Sequence, residues 1–235
     1  MIELMFWSLY ATCYDALSRL KAYKEMQVRT LQLLSPTSGE QILDAGSGTG
    51  NLIRAIEDMA EVVVVGVDCN PGMLAVAKRK QLRATLWRCD LNEVLPFRDS
   101  TFDKAVSTNN LYVLADPVSV LREFRRVLRK GGKLIIVNPV PGFSPGKILR
   151  DHLDRTKDLW GWLEVVIHIP HIMAILLLNL FIVNKGRAGS YHFADVAKWQ
   201  QWVRDSGLSV DRLELVYADQ ALLVSLVKEE VVPGA

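Results

Sequence analysis

The stretch Asp44-Ala45-Gly46-Ser47-Gly48-Thr49-Gly50 is the part of this chain best built to hold a ligand. Three glycines in five positions let the backbone turn sharply and bring a ligand against the main chain with no Cβ in the way. The apolar Ile42-Leu43 before it reads as the end of a buried strand. Asn51-Leu52-Ile53-Arg54-Ala55-Ile56 after it reads as the start of a helix. Such a helix aims free N–H groups and the positive end of its dipole at whatever rests on the turn. Strand, turn and helix in this order form a nucleotide- or cofactor-binding loop at the carboxyl end of the first strand of an open α/β sheet. The spacing is Gly-x-Gly-x-Gly, not the Gly-x-Gly-x-x-Gly of dinucleotide sites. A carboxylate at Asp44 repels a pyrophosphate and attracts a cation such as an ammonium group. The plain alternative is a glycine-rich turn with no ligand, and the rest of the chain has to decide.

Two more strand tips carry acid. Val62-Val63-Val64-Val65-Gly66-Val67 is a β-branched run of the kind buried on both faces. It ends in Asp68, which can accept hydrogen bonds from two ribose hydroxyls. The alternative for Asp68, a helix cap, is weakened because Asn70 with Pro71 already fits that role. Met73 belongs either against an adenine ring or in the core. Thr85-Leu86-Trp87-Arg88-Cys89 reads as a third strand, followed by Asp90. The Asp90 carboxylate can accept from an adenine amino group and the Leu91 N–H can donate to a ring nitrogen; a solvated turn is the alternative. Ahead of all this sits an aromatic cluster, Phe6, Trp7, Tyr10 and Tyr14. It packs a core or lids the sheet, or else Tyr10 or Tyr14 reaches a cationic cofactor, which aromatic faces hold well.

Asp44 to Gly50 resembles motif I of the class I S-adenosylmethionine-dependent methyltransferases. Leu95-Pro96-Phe97-Arg98-Asp99-Ser100-Thr101-Phe102-Asp103 resembles the Leu-Pro-Phe-x-Asp-x-x-Phe-Asp stretch ahead of strand four in small-molecule methyltransferases. Leu128-Arg129-Lys130-Gly131-Gly132-Lys133-Leu134 and Tyr14-Asp15 are similar to further parts of that family. The match covers roughly residues 10–138, and the chain resembles the ubiquinone/menaquinone C-methyltransferase-like (methyltransferase type 11) group. It implies S-adenosyl-L-methionine as methyl donor, held by Tyr14, Asp44, Gly46, Ser47, Gly48, Gly50, Asp68, Cys69, Met73, Asp90, Leu91 and Asn109. Asp44 and the glycines would serve the methionine end, which Thr108, Asn109 and Asn110 close over. Where the family often has a histidine, this chain reads Leu111-Tyr112-Val113, so no catalytic residue is assigned.

Periodicity places the individual elements that must position these residues. The resemblance implies their arrangement as an α/β fold: a Rossmann-like, seven-stranded, mostly parallel sheet with an antiparallel last strand, helices on both faces, and a helical cap between strands five and six. One domain covers 1–235: a helical lid (1–35), a cofactor-binding core (36–138), a cap (139–194), and the last helix with strands six and seven (195–228). Strand one runs over 41–45, and the helix after it reaches Met59. Asp116-Pro117 opens a helix ended by Gly131-Gly132, and 134–137 is strand five. Helix 147–158 is charged; Asp195 opens the last helix, which Gly207 ends. Residues 212–218 and 221–228 pair across Asp219-Gln220, and 229–235 form a frayed tail.

Leu163 to Val183 is almost wholly apolar and has the length of a membrane span, roughly 20 residues. Glu164, His168, Pro170, His171 and Asn179 make it a poor one. A cap supplying an apolar acceptor pocket is the first reading. A cap that also rests on a membrane, with Lys185 and Arg187 at its end, is the second, and a true span the third. The His168/His171 pair has no further ligands at metal spacing, so no metal is expected. One of these, His152 or His192 can serve as a general base. Net charge is +2 with basic residues scattered among acidic ones, which argues against nucleic acid as a partner. Cys13, Cys69 and Cys89 fit reduced thiols in a cytoplasmic protein, and the first ten residues lack a basic leader segment. The reading is therefore methyl transfer to a small lipophilic acceptor. The rivals are an NAD-dependent oxidoreductase and a non-catalytic cofactor-binding or membrane-surface protein.

Overall fold

A computed structural model describes residues 2–229. The tail expected over 229–235 lies, past Glu229, outside the described residues. The chain begins with helix α1 (Ile2–Ala11), tightens into a 3-10 turn at Tyr14–Arg19, and continues as α2 (Lys21–Leu34). Strands and helices then alternate: β1 (Gln41–Ala45), α3 (Asn51–Met59), β2 (Val63–Asp68), α4 (Pro71–Arg79), β3 (Thr85–Arg88), β4 (Phe102–Thr108), α5 (Pro117–Val127) and β5 (Leu128–Pro139). Helices α6 (Pro145–Asp154) and α7 (Leu159–Arg187) follow, then α8 (Val196–Ser206), β6 (Ser209–Val216) and β7 (Ala221–Val227).

The seven strands lie in the order β3-β2-β1-β4-β5-β7-β6. β1 to β5 are mutually parallel, and β7 runs antiparallel between β5 and β6. Alternate strand residues feed two cores, as the period of two demands. Ile42, Val106, Ile135 and Val137 face the side covered by the lid and α3. Leu43, Ala105, Leu134 and Ile136 face α5 and α8. The strand order reverses between β1 and β4, so a crevice opens at their carboxyl ends.

Some boundaries differ from the sequence reading. α5 ends at Val127, not at Gly131-Gly132, because Leu128 is already extended and pairs with Phe102 of β4. Gly131, at φ +73°, bends β5 instead, and a Cβ on Gly132 would lie 3.0 Å from the Asp103 carbonyl oxygen. The charged helix begins at Pro145 and stops at Asp154, since proline is favoured in a first helical turn. The hairpin turn spans Tyr217 to Gln220, and Tyr217, Ala218 and Asp219 all take positive φ, so β6 ends at Val216.

The apolar stretch forms most of α7, a single helix of 29 residues with Pro170 in its interior. Among the described residues no helix is long and apolar enough to cross a membrane. One face of α7 buries Ile172, Ile175, Ile182 and Val183, while Ile167, Leu177 and Leu180 are exposed. α7 clamps the lid: Phe181 packs on Phe6 with ring centroids 4.3 Å apart, and the Tyr10 hydroxyl donates to Asn179 Oδ1 at 3.3 Å.

Candidate active site

The crevice at the carboxyl ends of β1, β2 and β4 has a volume of about 250 Å³. Tyr14, Gly46, Gly48, Asp68, Cys69, Met73, Asp90, Leu91 and Asn109 line it. Asp44, Ser47 and Gly50 do not; they lie behind the lining. Gly50 is the N-cap of α3 at φ +77°, where a Cβ would strike Leu82. Asp44 is 1% exposed, and its Oδ2 has no hydrogen-bond partner among the described residues. Burial, with the charge of Asp68 second, pushes the Asp44 carboxyl up to about 7. The Ser47 hydroxyl is buried and also has no partner among the described residues.

The strand tips are held by the glycine loop itself. Gly48 N–H donates to Asp68 Oδ2 at 2.9 Å, and Asn70 N–H donates to Asp68 Oδ1 at 2.8 Å. Burial raises the Asp68 carboxyl, and these two amides pull it back. Asn70 caps α4 by accepting from Met73 N–H at 3.1 Å, so the cap and the exposed-lone-pair roles fall on different residues. Asp90 Oδ1 accepts from both the backbone and side-chain nitrogens of Asn92, each at 2.9 Å. Gly46 takes φ +77°, and a Cβ there would lie 2.4 Å from Asn110 Cγ. The Asn110 side chain thus covers the loop, and its buried Nδ2 lacks a partner among the described residues.

The lid closes one wall. Thr49 Oγ1 donates to Asp15 at 2.6 Å, and Lys80 pairs with the same carboxylate at 2.9 Å. Asn70 Nδ2 donates to the Leu4 carbonyl at 2.8 Å. These ties set Glu3, Leu4 and Trp7 into the crevice wall. The sequence reading did not place them there. The available signal was that Glu3 and Trp7 stand one helical turn apart on one face. Cys89, Asn92, Val113 and Leu114 also line the crevice beyond the expected set.

The lining carries three carboxylates, Glu3, Asp68 and Asp90, and, among the described residues, no lysine, arginine or histidine. A pyrophosphate has no cation to meet there. A positively charged nucleoside would instead find carboxylates on the crevice wall. The unpartnered Nδ2 of Asn110, a lining residue, fits the carboxylate of an amino-acid tail. The residues present therefore fit S-adenosylmethionine.

A smaller chamber of about 30 Å³ adjoins the crevice and shares Trp7, Tyr14 and Asn109 with it. Tyr10, Tyr14, Tyr112 and Tyr217 all line this chamber. The remaining two of the chain's six tyrosines stand beside it: Tyr23 is 6.0 Å from Tyr217 and Tyr191 is 5.4 Å from Tyr112, centroid to centroid. Burial raises all six phenols, so each is a neutral donor near neutrality. None of the four histidines lines either space. His152 Nδ1 accepts from Lys21 N–H at 3.4 Å, and His168 and His171 sit on α7. Among the described residues no group of three or more His, Cys, Asp or Glu could hold a metal.

Fold and crevice together define a doubly wound α/β protein with an acid-lined crevice at the switch point of its sheet. Residues 43–136 match the family described as "Methyltransferase domain". The demethylmenaquinone methyltransferase of Thermus thermophilus is 32% identical over 167 residues, which cover 67% of this chain and 76% of that protein. The one from Thermotoga maritima is 30% identical over 132 residues, covering 54% of this chain and 57% of that protein. Among solved structures, the S-adenosylmethionine-dependent methyltransferase from Mesorhizobium loti superposes with a TM-score of 0.61 at 19% identity, covering 88% of this chain and 97% of the other. This chain belongs to the S-adenosylmethionine-dependent methyltransferase family.

Proposed function

We propose that the acceptor is a small, flat, lipophilic ring compound, methylated in the tyrosine-lined chamber. The observation that carries this reading is the gathering of Tyr10, Tyr14, Tyr112 and Tyr217 with Trp7 and Phe143 around one space beside the cofactor crevice. Ring faces stack on a planar acceptor, while phenols and the amides of Asn109 and Asn179 reach its oxygens. The names of the two relatives above, both acting on demethylmenaquinone, support the same class.

Bound S-adenosylmethionine supplies an electrophilic methyl group on sulfur. The chain's own work is to hold a nucleophile in line with it, an effect worth up to ~7–11 kcal/mol in well-oriented systems. No carboxylate or imidazole lines the chamber among the described residues, so the design favours an acceptor that ionises by itself over one needing a strong protein base. The chamber as it stands has room for about two waters. Acceptor access thus requires α1 to part from α7. We assign cofactor contacts to the expected residues as follows: Asp68 for ribose; Asp90, Leu91 and Met73 for adenine with Cys69 beside them; and Tyr14, Gly46, Gly48 and Asn109 for the methionine and sulfonium end. Asp44, Ser47 and Gly50 shape the loop from behind.

The test is to incubate the protein with methyl-labelled S-adenosylmethionine and the separated lipid and polar fractions of a cell extract, then read label by mass spectrometry. Label in an aromatic lipid-soluble compound is the expected result. Label confined to polar amines would overturn the reading.

A further inference from the structure

A second, larger space lies apart from the site just described. It is a groove of about 800 Å³ between α7, the loop leading into α6, and the start of α8. That volume is typical of small-molecule sites, which run to roughly 300–1,000 Å³. Phe143 and Phe193, 6.0 Å apart, and Tyr112, 5.6 Å from Phe193, wall it off from the chamber. Leu176, Leu177 and Leu180 form its α7 side. Leu177 and Leu180 are 63% and 54% exposed, a large apolar face with nothing over it among the described residues. Gly142 and Gly189 leave the groove open, since a Cβ on either would meet nothing within 4 Å.

The charge in this groove has one sign. Arg187, in the last turn of α7, and Lys198, in the first turn of α8, both line it. Lys198 sits with its ammonium 5.9 Å from the Trp202 ring centroid. No carboxylate lines the groove among the described residues. The nearest acid on α8, Asp195, is engaged as its N-cap, accepting from Lys198 N–H at 2.9 Å. An apolar slot lined by two cations suits neither a neutral hydrocarbon nor a basic peptide.

We propose that this groove binds one molecule of an anionic amphiphile, its hydrocarbon chain along the α7 leucines and its carboxylate or phosphate head between Arg187 and Lys198. The site is independent of the acceptor assignment, because the chamber and the groove are separate spaces. The bound chain covers Leu177 and Leu180, and the head is held by charge-assisted hydrogen bonds.

The probe is a brominated twelve-carbon fatty acid, used below its micelle concentration with no methyl donor present. Bromine quenches tryptophan, and Trp202 lines the groove. The expected result is saturable quenching whose affinity falls at least tenfold in Arg187→Gln/Lys198→Gln and in Leu180→Glu. The matching bromo-alcohol should bind several-fold more weakly. All three substitutions are at exposed positions, so folding is checked simply by an unchanged melting temperature and unchanged S-adenosylmethionine affinity. Non-saturable quenching, or equal affinity of acid and alcohol, overturns the proposal. So does protein that sediments with phosphatidylglycerol vesicles while ignoring the monomeric acid, since that would mark a membrane-facing surface and not a single-molecule site. None of these outcomes depends on methyl transfer, so failure here leaves the acceptor reading to its own test.

Discussion

The carboxylate of Asp68, at the tip of β2, accepts a hydrogen bond from the backbone N–H of Gly48 in the loop after β1, at 2.9 Å. One side chain thereby fixes the glycine loop against the neighbouring strand. It also leaves lone pairs on the crevice side, where Asp68 is a lining residue.

Replacing Asp68 by alanine should therefore do two things. It removes the charged acceptor for the ligand's hydroxyls, and it leaves the Gly48 and Asn70 amides without their partner. Cofactor affinity should fall by about 1–3 kcal/mol, the scale of hydrogen bonds to charged groups. Asp68→Asn, which keeps one acceptor oxygen, should lose less. Calorimetric titration with S-adenosylhomocysteine checks the order; equal affinity in all three proteins would remove Asp68 from the site.

Asp44 predicts a pH dependence. Its carboxyl is raised from the ordinary 3.8 to about 7 in the fold, so the native state holds a proton that the unfolded chain releases. Its contribution to stability is full below about pH 4 and is lost as pH rises to about 7. Asp44→Asn should flatten that decline in the ligand-free protein, read as melting temperature against pH. A cationic ligand lowers the Asp44 carboxyl again, so cofactor binding near pH 6 should release a proton. Calorimetry in buffers of different ionisation enthalpy would see it, and Asp44→Asn should abolish it.

Gly46→Ala meets two obstacles at once. A Cβ would lie 2.4 Å from Asn110 Cγ, and the backbone sits at φ +77°. The left-handed conformation alone costs an L-residue about 1–2 kcal/mol. Melting temperature should drop and cofactor binding should fall below detection. Adding Asn110→Ala should restore part of the stability, because it relieves the clash but not the backbone strain.

The lid offers a kinetic test. Tyr10 joins α1 to α7 through Asn179, and Phe6 packs on Phe181. Tyr10→Phe leaves Asn179 Oδ1 without that donor, which should cost about 1 kcal/mol, and Phe181→Ala removes the ring contact. Both should speed cofactor release in stopped-flow displacement, with Phe181→Ala the larger effect. Unchanged release rates in both would mean that the lid does not gate the crevice.

The sequence by itself determined most of the strands and the glycine-rich turn between β1 and α3. Their signals are local: β-branched runs, glycines at fixed spacing, and Asp116 and Asn70 before a proline. It also marked Asp68 and Asp90, because the end of a parallel strand fixes where its last residue stands. It misjudged the end of α5, where pairing of Leu128 with Phe102 overrode a glycine pair that looks like a helix stop. Only the tertiary structure decided which residues share a space. Tyr10, Tyr112 and Tyr217 are far apart along the chain, and no local pattern announces that α1, the turn after β4 and the β6–β7 turn converge on one chamber. The same holds for Arg187 and Lys198, brought to one groove by the return of the chain from α7 into α8. Periodicity reports which face of an element is buried; what it is buried against is set by the packing of elements distant in sequence, and that packing assembles the site.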